Sequence, residues 1–298
     1  MFFTFCCLPF AVLQNLSYQP VKLAHCVFEA IGGCDKRKPP VIFMHSMLCS
    51  KEVWDPIPQR VAELTKRKVF TYDARNHGES EITKDSSFHN NLQDLYTFMD
   101  RMDIKDSVLV GHSFGGSTAI SAALQEPKKV EKAFIVDMYV KNIPRELIDR
   151  SLTIMNIWTE VIRNLPKDIL EVDIRRTMLQ LLVEKLPEEM KLQSEHRPYL
   201  TIMYKRKPDG GHDVLFNAEA LADALKQYQD SPIVHSGQYD GPAYFLYGSP
   251  SPFNVSSEEA DIKKHFPKAE MIEFKGCKHH LFLDFPDKFV DTLVKRIE

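Results

Sequence analysis

Val108-Leu109-Val110-Gly111-His112-Ser113-Phe114-Gly115-Gly116 reads as an apolar strand running into a serine with a glycine two positions to either side. This is the G-x-S-x-G nucleophile elbow, a strand-to-helix turn tight enough to hold the serine in strained backbone geometry. The flanking positions must lack a Cβ to avoid clashes, and the serine oxygen then projects from the turn. The amide of Phe114 falls at a helix N-terminus, where an unpaired N–H and the helix dipole favour a developing oxyanion. By itself the pattern is weak, since a chain of this length shows it by chance roughly one time in ten. The surrounding sequence decides.

Three other strand-like runs lie around it. Val41-Ile42-Phe43-Met44-His45 precedes a helical pattern over Trp54 to Thr65. Val69-Phe70-Thr71-Tyr72-Asp73 precedes one over Phe88 to Met102, and Ala133-Phe134-Ile135-Val136-Asp137 ends at a proline-containing loop. Ser107 to Val110 feeds the helix Phe114 to Gln125. Continuously apolar strands alternating with helices imply an α/β fold with a mostly parallel sheet covered on both faces. Val21 to Ala30 supplies a candidate antiparallel edge strand or hairpin. From Ile143 to about Leu225 the periodicity turns helical, as in Leu147-Ile148, Leu152, Met155 and Trp158, with no strand-like run. The sheet pattern resumes at Ala243-Tyr244-Phe245-Leu246-Tyr247, a helix Ser257 to His265, a strand Glu270 to Phe274 and a last helix from Pro286. The organisation expected is a leader or tail over 1–20, a core over 21–140 and 226–298, and an inserted helical cap over 141–225.

Composition narrows the function classes. The 298 residues, 44% hydrophobic, suffice for one large core, and a net charge of −3 argues against nucleic acid as the main partner. Cys6, Cys7, Cys26, Cys34, Cys49 and Cys277 form no C-x-x-C pair and no metal-ligand spacing, so no metal or other cofactor is expected, and the thiols read as reduced and intracellular. Met1 to Leu13 is apolar, too short to span a bilayer, and lacks the arginines of a transit peptide.

Ser113 requires a base and an acid. His279 lies between the last strand and the last helix, at the sheet edge where open parallel sheets place their sites, with His280 adjacent; a solvated loop histidine is the ordinary alternative for either. The loop after the 243–247 strand, Gly248-Ser249-Pro250-Ser251-Pro252-Phe253-Asn254, contains no carboxylate. Asp137 follows Ser113 by one helix and one strand, which brings it to the same sheet edge, so it is the expected acid; a turn cap is its ordinary role. Glu219 in the last cap helix is the alternative, and Asp240 and Asp284 are weaker. The loop His45-Ser46-Met47-Leu48 places the Met47 amide opposite that of Phe114 as the second oxyanion donor. Asp73 and Arg75 read as braces beneath the site.

Taken in order, His45 after one strand, Asp73-Ala74-Arg75-Asn76-His77-Gly78-Glu79-Ser80 after the next, Gly111-His112-Ser113-Phe114-Gly115-Gly116 at the elbow and a near-terminal histidine form a recognisable set. Over most of its length the chain resembles the α/β-hydrolase superfamily, and most of all the animal α/β-hydrolase domain-containing protein 11 group, whose relatives include bacterial esterases and fungal ethanol acetyltransferases. The resemblance implies a serine hydrolase acting on ester or thioester bonds of acyl lipids, with diacylglycerol lipase activity, a mitochondrial setting and an association with the 2-oxoglutarate dehydrogenase complex. It also implies an aspartate after the strand that follows the nucleophile helix, matching Asp137, although a late-cap acid is assigned in some members, where this chain has Glu219. The spacing to Pro286 selects His279 over His280. Ser46 replaces a family glycine, which restricts the oxyanion loop if that position needs positive φ. This substitution motivates a second class of function, a catalytically weak hydrolase fold retained for binding. Within the enzymatic reading, the expected substrate is an acyl ester or lipid, with acyl transfer or thioester cleavage as variants. The cap residues Leu152, Ile154, Met155, Ile157, Trp158, Leu181 and Leu182 either line an acyl pocket or pack the cap.

Overall fold

The computed structural model describes residues 18–187 and 204–298. Seven strands form the main sheet: β1 (His25–Phe28), β2 (Val41–Met44), β3 (Val69–Tyr72), β4 (Ser107–His112), β5 (Val130–Val136), β8 (Ala243–Gly248) and β9 (Ala269–Phe274), in the order β1-β3-β2-β4-β5-β8-β9. All pairings are parallel except β1 against β3, so the upstream segment is an antiparallel edge strand. From β2 the chain moves outward to β3 and then returns past β2 to β4. The loops leaving β2 and β4 therefore diverge, opening the crevice where doubly wound sheets bind ligands.

Side chains alternate between two cores, as period-2 strands demand. Val41, Phe43, Val108, Val110, Phe134 and Val136 face one core with helices α1 (Ile57–Thr65) and α8 (Pro286–Ile297). Ile42, Met44, Leu109, Ala133 and Ile135 face the other, with α2 (Phe88–Arg101), α3 (Phe114–Gln125) and α7 (Glu259–His265). Burial on both faces explains why β2, β3 and β4 read as unbroken apolar runs. α3 is buried from Phe114 to Leu124. Its small residues permit close approach to the sheet, and a Cβ on Gly116 would already meet Met138 Cβ at 3.0 Å.

Between β5 and β8 lie α4 (Arg145–Arg163), α5 (Glu171–Lys185), a two-stranded hairpin of β6 (Tyr204–Arg206) and β7 (His212–Val214), and α6 (Ala218–Asp230). The hairpin corrects the expectation of a strand-free insertion. Its strands are three residues long and pair only with each other, Tyr204 with Val214 and Arg206 with His212, so no sustained alternation marks them. α6 starts at Asn217, whose side chain accepts from the Ala220 N–H, and runs to Asp230. A core boundary at 226 would therefore fall inside a helix. Met155, Trp158 and Leu182 are buried in the same core as β2 and β4, with Leu152, Ile154, Ile157 and Leu181 packed against it.

Met1 to Leu13 lies outside the described residues. Tyr18 and Gln19, assigned to the leader or tail, are tied to the body: the Tyr18 hydroxyl donates to Asp94 at 2.9 Å, and Arg75 donates to the Gln19 carbonyl at 3.2 Å. Among the described residues no helix is long and apolar enough to cross a membrane.

Candidate active site

Ser113 sits between β4 and α3 at φ 50°, ψ −111°, outside the ordinary regions for an L-residue. Two contacts fix it there: its N–H donates to the Val136 carbonyl at 2.9 Å, and its carbonyl accepts the Ser117 N–H at 3.0 Å. The glycines are required by close approach. A Cβ on Gly111 would lie 2.2 Å from the Gly115 carbonyl oxygen, and one on Gly115 would lie 2.3 Å from that of Met44. The elbow is thus pressed against the end of β2. Phe114 opens α3, so its N–H is among the first four of the helix, which have no partner within it.

β5 ends one residue before Asp137, and β4 and β5 finish in register, His112 opposite Val136. The count of one helix and one strand therefore places Asp137 beside the elbow. Asp137 also has positive φ, 50°, and its N–H donates to the Leu246 carbonyl at 2.7 Å, extending the β5–β8 ladder by one residue. Its carboxylate is fully buried. His279 Nδ1 donates to Asp137 Oδ2 at 2.6 Å, the Gly248 N–H donates to Oδ1 at 3.3 Å, and the Ser251 hydroxyl donates to Oδ2. Three donors thus replace the water that a buried carboxylate loses.

With Nδ1–H committed to Asp137, the neutral imidazole keeps its lone pair on Nε2. The ring stacks on Phe253, centroids 4.7 Å apart and planes within 11°. The His279 carbonyl accepts from His112 Nε2 at 2.8 Å, which ties the histidine loop to the strand carrying Ser113. His280 lies near His112, with ring centroids 5.3 Å apart, and it is His279 that reaches the carboxylate. Glu219 is exposed in the first turn of α6, and Asp240 is exposed as well. Asp284 accepts from the Cys277 thiol at 2.7 Å.

Ser251, Phe253, Gly248 and His112 were not singled out from the sequence. Ser251 and Phe253 occupy the loop that lacks a carboxylate, and a hydroxyl in that loop was the available signal. Gly248 has a steric role. A Cβ there would lie 2.1 Å from the Cys277 carbonyl oxygen and 2.2 Å from that of Lys278, so its absence lets the histidine loop close over the end of β8.

In the loop after β2, Leu48 rather than Ser46 adopts positive φ, 65°. The restriction expected from Ser46 therefore does not arise. The Ser46 carbonyl instead accepts His45 Nδ1–H at 2.7 Å, while His45 Nε2 accepts the Ala74 N–H at 3.0 Å. Met47, one residue before Leu48, packs against the cluster around Phe114. Burial holds His45 down at about 4 and, aided by the neighbouring His45, His77 down at about 3. Both rings stay neutral and serve as loop anchors.

Beneath them, Asp73 Oδ1 accepts the Lys51 N–H at 2.7 Å, and Oδ2 accepts Lys51 Nζ at 2.8 Å and the Glu79 N–H at 2.9 Å. Gly78, at φ 53°, leaves room for that carboxylate: a Cβ would lie 2.2 Å from it. Arg75 pairs with Asp94 through two bonds of 2.6 and 2.7 Å, both side chains buried. These are the braces expected of Asp73 and Arg75. Among the described residues no group of His, Cys, Asp and Glu is arranged to hold a metal ion.

A family model described as the alpha/beta hydrolase fold matches residues 39–286. The chain belongs to the α/β-hydrolase fold family. This α/β hydrolase is similar to the mouse sn-1-specific diacylglycerol lipase ABHD11, with 28% identity over 97% of this chain and 90% of the relative. It is also similar to Ethanol acetyltransferase 1 of Cyberlindnera fabianii, with 25% identity over 85% of this chain and 78% of that one. Among solved structures, a marine microorganism esterase superposes with a TM-score of 0.74 at 22% identity, covering 92% of this chain and 99% of that one, which supports the fold. Within the family the hydrolase is ABHD11-like.

Proposed function

We propose that the protein is a serine carboxylic ester hydrolase acting on acyl lipids, with Ser113, His279 and Asp137 as its catalytic residues. The observation that carries this reading is the Asp137–His279 hydrogen bond at the sheet edge beside the strained Ser113 elbow. In this mechanism Ser113 Oγ attacks the ester carbonyl while His279 Nε2 takes its proton. Asp137 holds the imidazole in the required tautomer and stabilises the imidazolium. The amides of Met47 and Phe114 receive the oxyanion, a role that rests on their position in the loop after β2 and at the start of α3. His279 then returns the proton to the leaving alcohol, and water, deprotonated in turn by His279, releases the acid from the acyl-enzyme.

A diacylglycerol substrate is supported by the similarity to the mouse sn-1-specific diacylglycerol lipase. Acyl transfer to an alcohol is the second reading, favoured by the similarity to an ethanol acetyltransferase. A mitochondrial setting and an association with a dehydrogenase complex are carried by the family resemblance alone; co-fractionation of the tagged chain with mitochondria tests them.

A fluorophosphonate probe tests the central claim. Labelling of the wild-type protein that disappears in Ser113→Ala is expected, whereas folded protein that resists labelling would indicate a retained binding fold. Product analysis of a p-nitrophenyl ester reaction with added ethanol separates hydrolysis from transfer.

A further inference from the structure

Phe88 stands between the residue that follows Ser113 and a cleft. On its inner side the ring meets Phe114 edge to face, centroids 4.9 Å apart, and Phe114 directly follows Ser113. The two belong to one buried cluster with Ile148, Leu225 and Tyr228, against which Met47 and Leu152 pack. On its outer side Phe88, together with Tyr228, lines a 330 Å³ cleft formed by α2, α3, α6 and the segment that follows α6. The Phe88 ring therefore stands directly between this cleft and Phe114.

The ring is held in place. Phe88 is the first residue of α2, directly after the capping Ser87, whose hydroxyl accepts the Asn90 N–H. Its ring packs on Tyr228 at 4.9 Å, and the Tyr228 hydroxyl accepts the Ile143 N–H at 2.9 Å. The cleft offers Leu92, Ala224 and Ile233 as apolar surface and Ser121, Gln125 and Gln227 as neutral polar groups. Its lining, drawn from described residues, contains no Asp, Glu, Lys or Arg; His89 is its one titratable side chain besides Tyr228. The lining exposes more polar than apolar surface, but without a formal charge it provides no counter-charge for an ionised group, and an uncharged chain reaching it would lie along Leu92, Ala224 and Ile233. Its volume falls at the lower end of small-molecule sites, about 300–1,000 Å³.

We propose that Phe88 is a specificity-determining residue that limits the length of alkyl chain the catalytic pocket accepts, by closing that pocket against the cleft behind it. The inference rests on the ester-hydrolase reading above. An alkyl chain is present in both halves of a lipid ester, the acyl group and the alcohol, and two substrate series distinguish them.

The test compares kcat/KM of the wild-type enzyme and Phe88→Ala on p-nitrophenyl esters from butyrate to palmitate, and on butyrate esters of alcohols from ethanol to dodecanol. Phe88→Ala is expected to keep activity on the shortest esters and to raise the long-to-short ratio about tenfold or more in one series, which identifies the chain that passes Phe88. Phe88→Leu, a smaller change in packing, is expected to give a smaller shift in the same direction, and it carries the test if the alanine variant fails to fold. Adding Gln125→Trp, which fills the outer part of the cleft, should remove the gain. An unchanged ratio in a variant that hydrolyses butyrate overturns the proposal, as does a gain that survives Gln125→Trp. If the wild-type protein shows neither probe labelling at Ser113 nor ester hydrolysis, the hydrolase reading itself fails and this inference falls with it.

Discussion

His279 and Asp137, 142 residues apart in the chain, are joined by a 2.6 Å hydrogen bond at the C-terminal edge of the sheet. The bond fixes the tautomer of the histidine and gives a fully buried carboxylate one of its three donors. The other two, Ser251 and Gly248, come from the end of β8 and the loop that follows it.

The assignment of the acid is tested by paired substitutions. Asp137→Asn preserves shape but removes the charge that stabilises imidazolium, and its amide group disfavours the required tautomer. kcat on a p-nitrophenyl ester is expected to fall by about 10³–10⁴-fold, by analogy with a serine-protease triad. Glu219→Gln, at an exposed position in the first turn of α6, is expected to leave kcat unchanged. Collapse of activity in the Glu219 variant alone would reassign the acid.

Ser251→Ala removes one charge-assisted donor from Asp137 while leaving Gly248 and His279 in place. A hydrogen bond to a charged group contributes about 1.5–3 kcal/mol. kcat is therefore expected to fall about tenfold or more with KM little changed, and Ser251→Thr, which keeps the hydroxyl, should recover most of the loss. Equal losses in both variants would point to loop packing rather than to the hydrogen bond.

Gly248→Ala places a Cβ 2.1 Å from the Cys277 carbonyl oxygen. Backbone must move to relieve this, and the segment that moves carries His279. Stability is expected to drop by about 1–3 kcal/mol in chemical denaturation, with a loss of kcat disproportionate to the loss of folded protein. A variant of normal activity would show that the histidine loop tolerates displacement from β8.

Acid sensitivity follows from the buried imidazoles. His45 and His77 titrate near 6.5 in the unfolded chain but at about 4 and about 3 when folded, because burial disfavours the charged ring. As pH falls below 6.5 the unfolded state takes up protons that the folded state refuses. The stability these groups confer is thus complete above about pH 6.5 and is lost progressively toward pH 3–4. At about 1.4 kcal/mol per pH unit, His45 accounts for at most about 3–4 kcal/mol of this loss. Denaturant unfolding at a series of pH values should show the decline, and His77→Gln should make it shallower. An identical slope in that variant would assign the acid limb to other groups.

Most of the fold was legible because it follows from local rules. Unbroken apolar runs identified doubly covered strands, and the glycines around Ser113 marked the turn that opens α3. Asp137 was reachable by counting, since one helix and one strand return the chain to the same edge. The β6–β7 hairpin was not legible, because three-residue strands paired only with each other leave no periodic trace. Neither was the loop after β2: the family resemblance implies a restriction at Ser46 if that position needs positive φ, but the left-handed conformation is at Leu48. Turn geometry there depends on where the His45 ring can reach both the Ser46 carbonyl and the Ala74 amide.

The elbow is written in the chain: a strand, a serine and two glycines whose missing Cβ atoms admit a turn that other residues would obstruct. So is the alternation that builds a parallel sheet, and with it the edge where the functional residues gather. Folding settles which carboxylate meets His279, how the segment after β8 supports it through Ser251 and Gly248, and that the Phe88 ring stands between Phe114 and a cleft. Those outcomes depend on contacts between segments far apart in the chain, whose distances are set by packing across the sheet and not by spacing along the sequence.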